Sequence, residues 1–253
     1  MISKPLITVI LPCYNEQENL KRGVLDTLYQ YLSSQKYGWE VIISDDGSSD
    51  ESQKIVESFT LSHPNFKLLK NKHAGKPFAL ASAIKKAKGS YVLFSDMDQS
   101  TPIYELDKLM PWIKDGYQVV IGSRGAKRAD AAFYRQLASI LFLTARRLII
   151  LPELIDTQCG FKLVETELAG KIFNHLRILG RGAQAKGWKV TAYDVEMLYL
   201  AKKFGAQIQE VSVIWKDEDT SVGKKRNFVK ESYEMFFEIL RVRVNDFLGK
   251  YKI

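Results

Sequence analysis

The sequence predicts an α/β fold: a mostly parallel, Rossmann-like sheet with helices on both faces, followed by a C-terminal amphipathic helix. Three observations lead there. Short apolar, β-branched runs alternate with helical stretches of ten or more residues as far as Arg124, the pattern of right-handed crossovers. The runs are continuous rather than polar on every second residue, as in strands covered on both sides. Polar side chains gather where the runs end, which is where sheets of this kind bind ligands.

In chain order, residues 6–12 (LITVILP) read as a first buried strand and residues 18–32 as a helix. Residues 39–47 (WEVIISDDG) form a second strand ending in two acids and a glycine turn. A helix then opens with Ser49 or Asp50 as its cap and Glu51 in its first turn. FKLLKN is a third strand, residues 77–87 a helix, residues 90–96 (SYVLFSD) a fourth strand, IYELDKLMPWI a helix and YQVVIGSR a fifth strand. The strand ends carry Asn15-Glu16, Asp45-Asp46, Asp96 with Asp98, and Ser123-Arg124, so a parallel sheet brings all of them to one rim.

The chain has 253 residues, 46% of them hydrophobic, enough for one large domain. A net charge of +8 favours an anionic partner: nucleic acid, a lipid headgroup surface or a phosphate-bearing substrate. The two cysteines, Cys13 and Cys159, lack zinc-ligand spacing and are too few for a disulfide scaffold. They read as inert buried thiols in a reducing compartment. The apolar run at residues 6–11 is too short for a secretory leader, and no run of about 18 apolar residues occurs, so no membrane-spanning segment is expected.

Two carboxylates one residue apart at a strand end, Asp96 and Asp98 in FSDMDQS, repel each other unless a cation joins them. Carboxylate oxygens suit Mg²⁺ or Mn²⁺, and such an ion can also grip phosphates. The plainer reading is an Asp pair capping a helix or shaping a turn. No glycine-rich phosphate cradle competes for a nucleotide.

The segments VILPCYNEQENL, VIISDDGSSDES, HAGKPFALASAIKKAKGSYVLFSDMD and DTQCGFKL resemble the inverting family-2 glycosyltransferases of the GT-A fold. Within them they resemble the polyprenyl-phosphate sugar transferases, above all the dolichyl-phosphate β-glucosyltransferase group, with the mannose synthases sharing most of the pattern. The likeness covers roughly residues 5–227, and DTQCGFK followed by YDVEMLYLA points to the glucosyl branch. It implies that Pro12, Tyr14, Asn15 and Glu16 surround the nucleotide, that Asp45 reads the base with Asp46 beside it, and that Lys76 lies near the nucleotide. It also implies that Asp96 and Asp98 bind the metal. The mannose synthases often supply a third ligand two residues after the second acid. Here Ser100 holds that position, and the amide of Gln99, one residue earlier, is the candidate.

On a helix of 100° per residue, Arg135, Ser139 and Arg146 fall within about 40° of one another, opposite Leu137, Leu141 and Leu148. Residues 131–150 are therefore either a surface helix with a solvated face or an amphipathic element at a membrane boundary. In the polyprenyl-phosphate transferases an Arg and a Ser spaced like Arg135 and Ser139 bind the acceptor phosphate. The resemblance assigns Arg124 and Lys224 to the same phosphate, Lys224 from a polar loop over residues 215–227. Asp194, with Glu196 on one helix, matches the region from which many family-2 enzymes draw a general base. His63, His73 and His175 show no ligand spacing and read as surface or packing residues.

From residue 228 the tail forms a helix whose polar face includes Lys230, Glu231, Glu234, Glu238, Arg241 and Asn245. It is expected either to dock on the sheet or to touch a membrane. The expected organisation is a glycosyltransferase domain over residues 1–227 and this helix over 228–253.

The function these residues and the resemblance imply is metal-dependent transfer of a hexose, with glucose favoured, from a UDP-sugar to a polyprenyl phosphate. The catalytic set would be Asp98, Arg135 and Asp194, and the enzyme would lie peripherally on the cytosolic face of a membrane. The rival within enzymes is transfer to a polysaccharide or protein hydroxyl, which requires Asp194 as a true base. A basic nucleic-acid-binding domain is the rival outside enzymes, but no helix-turn-helix, RRM or zinc pattern supports it.

Overall fold

The computed structural model of the chain describes residues 6–124, 150–179, 193–218 and 228–251. Its strands are β1 (Ile7–Cys13), β2 (Trp39–Asp45), β3 (Phe66–Lys70), β4 (Tyr91–Phe94), β5 (Val119–Ser123), β6 (Lys162–Glu165) and β7 (Ile208–Ser212). They form one sheet in the order β3-β2-β1-β4-β6-β5-β7. All neighbours are parallel except β6, which runs antiparallel to both β4 and β5. The carboxyl ends of β1, β2, β4 and β5 therefore share one rim, as the strand pattern predicts. Inserting β6 backwards brings its amino end to that rim as well.

Helices α1 (Gln17–Lys21), α2 (Val24–Ser33), α3 (Ser52–Ser62), α4 (Lys76–Ile84), α5 (Leu106–Lys114), α6 (Thr166–His175), α7 (Tyr193–Lys203) and α8 (Phe228–Phe247) cover the sheet. Successive strand residues point to opposite faces. Ile7, Val9 and Leu11 of β1 join one core with Leu28 and Leu32 of α2 and Leu109 of α5. Ile10 joins the other, with Leu80 of α4, Ile172 of α6, Leu198 of α7 and Val242 of α8. The spacing of Val24, Leu25, Leu28 and Leu32 gives α2 one buried face.

Three expectations need correction. The helix read over residues 18–32 is two helices, because Gly23 adopts a left-handed φ of 84° that interrupts the ladder. The third helix begins at Ser52 with Glu51 at its N-cap and no side-chain cap. Asp50 instead accepts bonds from the amides of Gln17 (3.1 Å) and Ser52 (3.0 Å), tying two loops together. On α8, the sequence pattern puts Asn245 on the polar face, but it is 7% exposed, because the side of the helix bearing Ile239, Val242 and Asn245 packs inward. Among the described residues no helix is long and apolar enough to cross a membrane.

Candidate active site

The rim is assembled by backbone pairing first. Cys13 stands opposite Asp45 in the β1–β2 register, and the Asp46 amide donates to Cys13 O (2.8 Å). Asp45 is fully buried. Its Oδ2 accepts bonds from the amides of Gly47 (2.9 Å) and Ser48 (3.1 Å) and from Gln53 Nε2 (2.7 Å). Its Oδ1 is buried with no hydrogen-bond partner. A buried carboxylate oxygen without a donor is costly, and such an atom is a natural place for a ligand N–H.

Asp46 has a different task. Its two oxygens accept the amides of Ala74 (2.9 Å) and Gly75 (2.8 Å), and His73 Nδ1 lies 2.8 Å from Oδ2. The ring of His73 stacks on Tyr14 with centroids 4.3 Å apart. This clamp fixes the start of α4 and so aims Lys76, whose ammonium pairs with Asp96. Burial pushes the Lys76 ammonium down, but the charges of Asp96 and Asp194 outweigh it and hold the group firmly protonated. Lys76 thus supplies the positive charge that Asp96 needs in this structure.

Asn15 and Glu16 serve as ties between loops. Asn15, with a left-handed φ of 53°, accepts the Ser49 amide (2.8 Å), and its own amide donates to Ser48 Oγ (2.9 Å). The Glu16 amide donates to Ser52 Oγ (2.8 Å), and its carboxylate accepts from Asn19 (2.6 Å). Pro12 is buried in β1.

Asp98 Oδ1 accepts the Ser100 amide (2.8 Å), the bland turn role that the sequence also allowed. Gln99, with φ 54°, donates from Nε2 to Ser95 Oγ (3.0 Å) and Asp96 O (2.8 Å), leaving Oε1 buried and unpartnered. Ser100 holds the chain after β7: its carbonyl accepts the Lys216 amide (2.8 Å) and its hydroxyl the Glu218 amide (3.4 Å). Arg22, just before the break at Gly23, spans Asp98 O and Glu218 O at 2.5 Å each. Among the described residues no cluster of three His, Cys, Asp or Glu could hold a metal. Two hard carboxylates and one orphaned amide oxygen nevertheless fit a Mg²⁺ or Mn²⁺ ion that completes its shell with water and phosphate oxygens.

Sequence reasoning missed the groups carried by β6 and the loop before it. Lys162, paired in register with Phe94 and Ile121, is 1% exposed and lies 2.6 Å from Asp194 Oδ1 in the first turn of α7. Gly160 packs so tightly on Asp96 that a Cβ there would stand 2.0 Å from Oδ2. Asp156 takes Arg124 in a bidentate fork, Nε to Oδ2 at 2.7 Å and Nη2 to Oδ1 at 2.8 Å, and Arg124 also lies 5.7 Å from the Trp215 ring centroid. Burial pushes the Asp156 carboxyl up, but the hydrogen bonds and charge of Arg124 prevail and hold it at about 2. The motif DTQCGFK was visible as a motif; which strand it formed was not.

The structure thus brings together Asp45, Asp96, Asp98, Lys76, Arg124 and Asp194 at one rim. Arg135, Ser139, Lys224 and residues 131–149 lie outside the described residues. Cys13 and Cys159 are buried, and burial pushes both thiols up, consistent with inert cysteines.

Comparison with known proteins adds four findings. The profile of Glycosyl transferase family 2 matches residues 8–173. A dolichyl-phosphate beta-glucosyltransferase of Dictyostelium discoideum is 34% identical over 267 residues, covering 98% of this chain and 76% of the relative. One of Saccharomyces cerevisiae, with the same name, is 28% identical, covering 97% and 76%. Among solved structures, glucosyl-3-phosphoglycerate synthase of Mycobacterium tuberculosis, in complex with Mn²⁺, UDP-glucose and phosphoglyceric acid, superposes with a TM-score of 0.62. It is 18% identical over 95% of this chain and 80% of that one, a likeness of fold.

Proposed function

Because the chain belongs to Glycosyl transferase family 2 and has the GT-A fold of a hexosyltransferase, we propose that it moves glucose from UDP-glucose to a polyprenyl phosphate of the dolichyl type, with inversion at the anomeric carbon. The observation that carries this reading is the meeting of Asp45, Lys76, Asp96, Asp98 and Asp194 at one rim: an orphaned acceptor for a base, and a charged cluster suited to a sugar diphosphate. The names of the relatives supply the sugar and the lipid.

In this reading Asp45 Oδ1 accepts the imide N–H of uracil, and Tyr14 with its stacked partner His73 flanks the ring. Pro12, Asn15 and Glu16 hold the loops that shape the nucleotide's floor. Asp96 and Asp98, with Gln99 Oε1 as a third donor, would hold Mg²⁺ or Mn²⁺, which when bound offsets charge on the departing nucleoside diphosphate. Lys76 turns from Asp96 toward the diphosphate and adds a second countercharge.

An oxygen of the acceptor phosphate attacks the anomeric carbon from the face opposite the leaving group; the new C–O bond forms as the bond to the UDP oxygen breaks. A phosphate monoester is largely dianionic near neutral pH, its second pKa being about 6, so it needs positioning more than deprotonation. Arg124, Arg135, Ser139 and Lys224 are assigned that task. Asp194, pinned by Lys162, orients the donor sugar. The enzyme works as a peripheral protein on the cytosolic face of a membrane, with residues 1–227 as the transferase domain and residues 131–150 at the lipid boundary.

A transfer assay with labelled UDP-glucose, UDP-galactose and GDP-mannose and a short polyprenyl phosphate tests this. Organic-extractable label from UDP-glucose alone, lost in EDTA, is expected. Label that stays water-soluble with a hydroxyl acceptor would replace the lipid assignment.

A further inference from the structure

Three N–H groups hold the buried carboxylate of Asp45, and all three bond to the same oxygen, Oδ2. Two of them are the amides of Gly47 and Ser48, which belong to the turn itself. The third is Gln53 Nε2 at 2.7 Å, the shortest of the three and the one side chain among them. Gln53 is the second residue of α3 and is half-buried beside Ser52, whose Oγ accepts the Glu16 amide. The backbone beneath is fixed as well, since the Asp45 carbonyl accepts the Asn71 amide at 2.9 Å and Asn71 Nδ2 at 2.8 Å.

What remains soft is rotation of the carboxylate about its own Cβ–Cγ bond, a broad two-fold torsion. Gln53 closes that freedom. With Oδ2 engaged by three donors, Oδ1 is the oxygen left over, buried and with no hydrogen-bond partner. A carboxylate oxygen can only accept. Oδ1 therefore suits a base that presents an N–H, as the imide of uracil does. The corresponding ring nitrogen of cytosine is itself an acceptor and would meet Oδ1 lone pair to lone pair. A site that places a hydrogen-bonding group rejects a ligand lacking the complement far more strongly than an apolar wall does. The turn has little room to shift in compensation, because a Cβ on Gly47 would stand 2.9 Å from the His73 amide nitrogen.

We infer that Gln53 is a positioning residue that sets base specificity. By holding Oδ2 it aims Oδ1 of Asp45, and the site then takes uracil and rejects cytosine without Gln53 touching the nucleotide. The inference deepens the UDP-sugar reading and rests on Asp45 as the acceptor for the base.

Titration calorimetry with UDP, CDP and inorganic pyrophosphate, each with Mn²⁺, on the wild type, Gln53→Leu and Gln53→Glu is the experiment. The wild type should prefer UDP to CDP by about tenfold or more. Gln53→Leu should weaken UDP about fivefold or more and leave CDP and pyrophosphate within about twofold of the wild type, so that the preference narrows. Gln53→Glu keeps the shape of the side chain but sets an acceptor against Oδ2, and should lose more. A thermal melt checks that each variant is folded. A wild type with no preference for UDP overturns the base reading of Asp45 and this inference with it. A preference kept whole in both variants overturns the inference alone. Equal loss of UDP and pyrophosphate also overturns it, and makes Gln53 a support for the turn.

Discussion

Lys162 Nζ lies 2.6 Å from Asp194 Oδ1, joining the amino end of β6 to the first turn of α7. The lysine is buried and the acid nearly so, which makes the pair an anchor for the acid rather than a surface contact. Breaking such a pair by removing one partner leaves a buried charge uncompensated.

Lys162→Met should therefore destabilise the fold by about 3–5 kcal/mol in urea unfolding. Asp194→Asn separates the two acceptor chemistries. Direct attack by phosphate gives a mild loss of kcat, whereas an obligatory base for a hydroxyl gives a loss of roughly 100-fold or more. Paired with Arg135→Ala, which should raise KM for polyprenyl phosphate and leave UDP affinity unchanged, the two variants decide the acceptor class.

Gly160→Ala should act on Asp96 without touching it. The added Cβ would stand 2.0 Å from Oδ2, and that carboxylate must swing away, because the alternative is to move backbone between β4 and β6. Titration calorimetry with UDP and Mn²⁺ should show affinity reduced about tenfold or more, as in a weaker form of Asp96→Ala, with the fold retained. Undiminished affinity in both variants would remove Asp96 from the site.

Asp45→Asn places an amide where either the backbone donors or the base N–H requires an acceptor. UDP binding should weaken by about 1–3 kcal/mol, with inorganic pyrophosphate unaffected. Equal weakening of both ligands would reduce Asp45 to a support for the turn at Gly47.

The Arg124–Asp156 fork predicts a pH dependence. The carboxyl of Asp156 is depressed to about 2 in the folded state, so the unfolded chain binds the proton first. Its contribution is complete above the unfolded value of about 4 and is lost as pH falls through about 2, amounting to about 2 kcal/mol. Urea unfolding of the wild type and Asp156→Asn at several pH values should show their stability difference shrinking by that amount across this window.

Much of the rim was legible because it depends on local signals. A continuous apolar run ending in Asp45-Asp46, or in Asp96 and Asp98, marks a buried strand and its carboxyl end whatever its neighbours are. Lys162, Gly160 and Asp156 were not legible as site residues. Their place follows from β6 pairing antiparallel with β4, whose residues precede it by about seventy positions in the register. His73 reads as a surface or packing residue, and its stacking on Tyr14 depends on Asp46 clamping a loop from a different crossover.

The alternation of strands and helices and the acids at the strand ends follow from neighbouring residues alone, because periodicity of two or 3.6 and the chemistry of turns are local. Which charges meet is settled by packing across the sheet. Lys76 reaches Asp96, Lys162 reaches Asp194 and Arg124 reaches Asp156 across separations of twenty to thirty-two residues. Packing also decides which side of α8 turns inward. Ile239 and Phe247 are both apolar, but complementarity to α7 and the sheet buries Ile239 and leaves Phe247 outside, and no local pattern carries the shape of the surface a helix packs against.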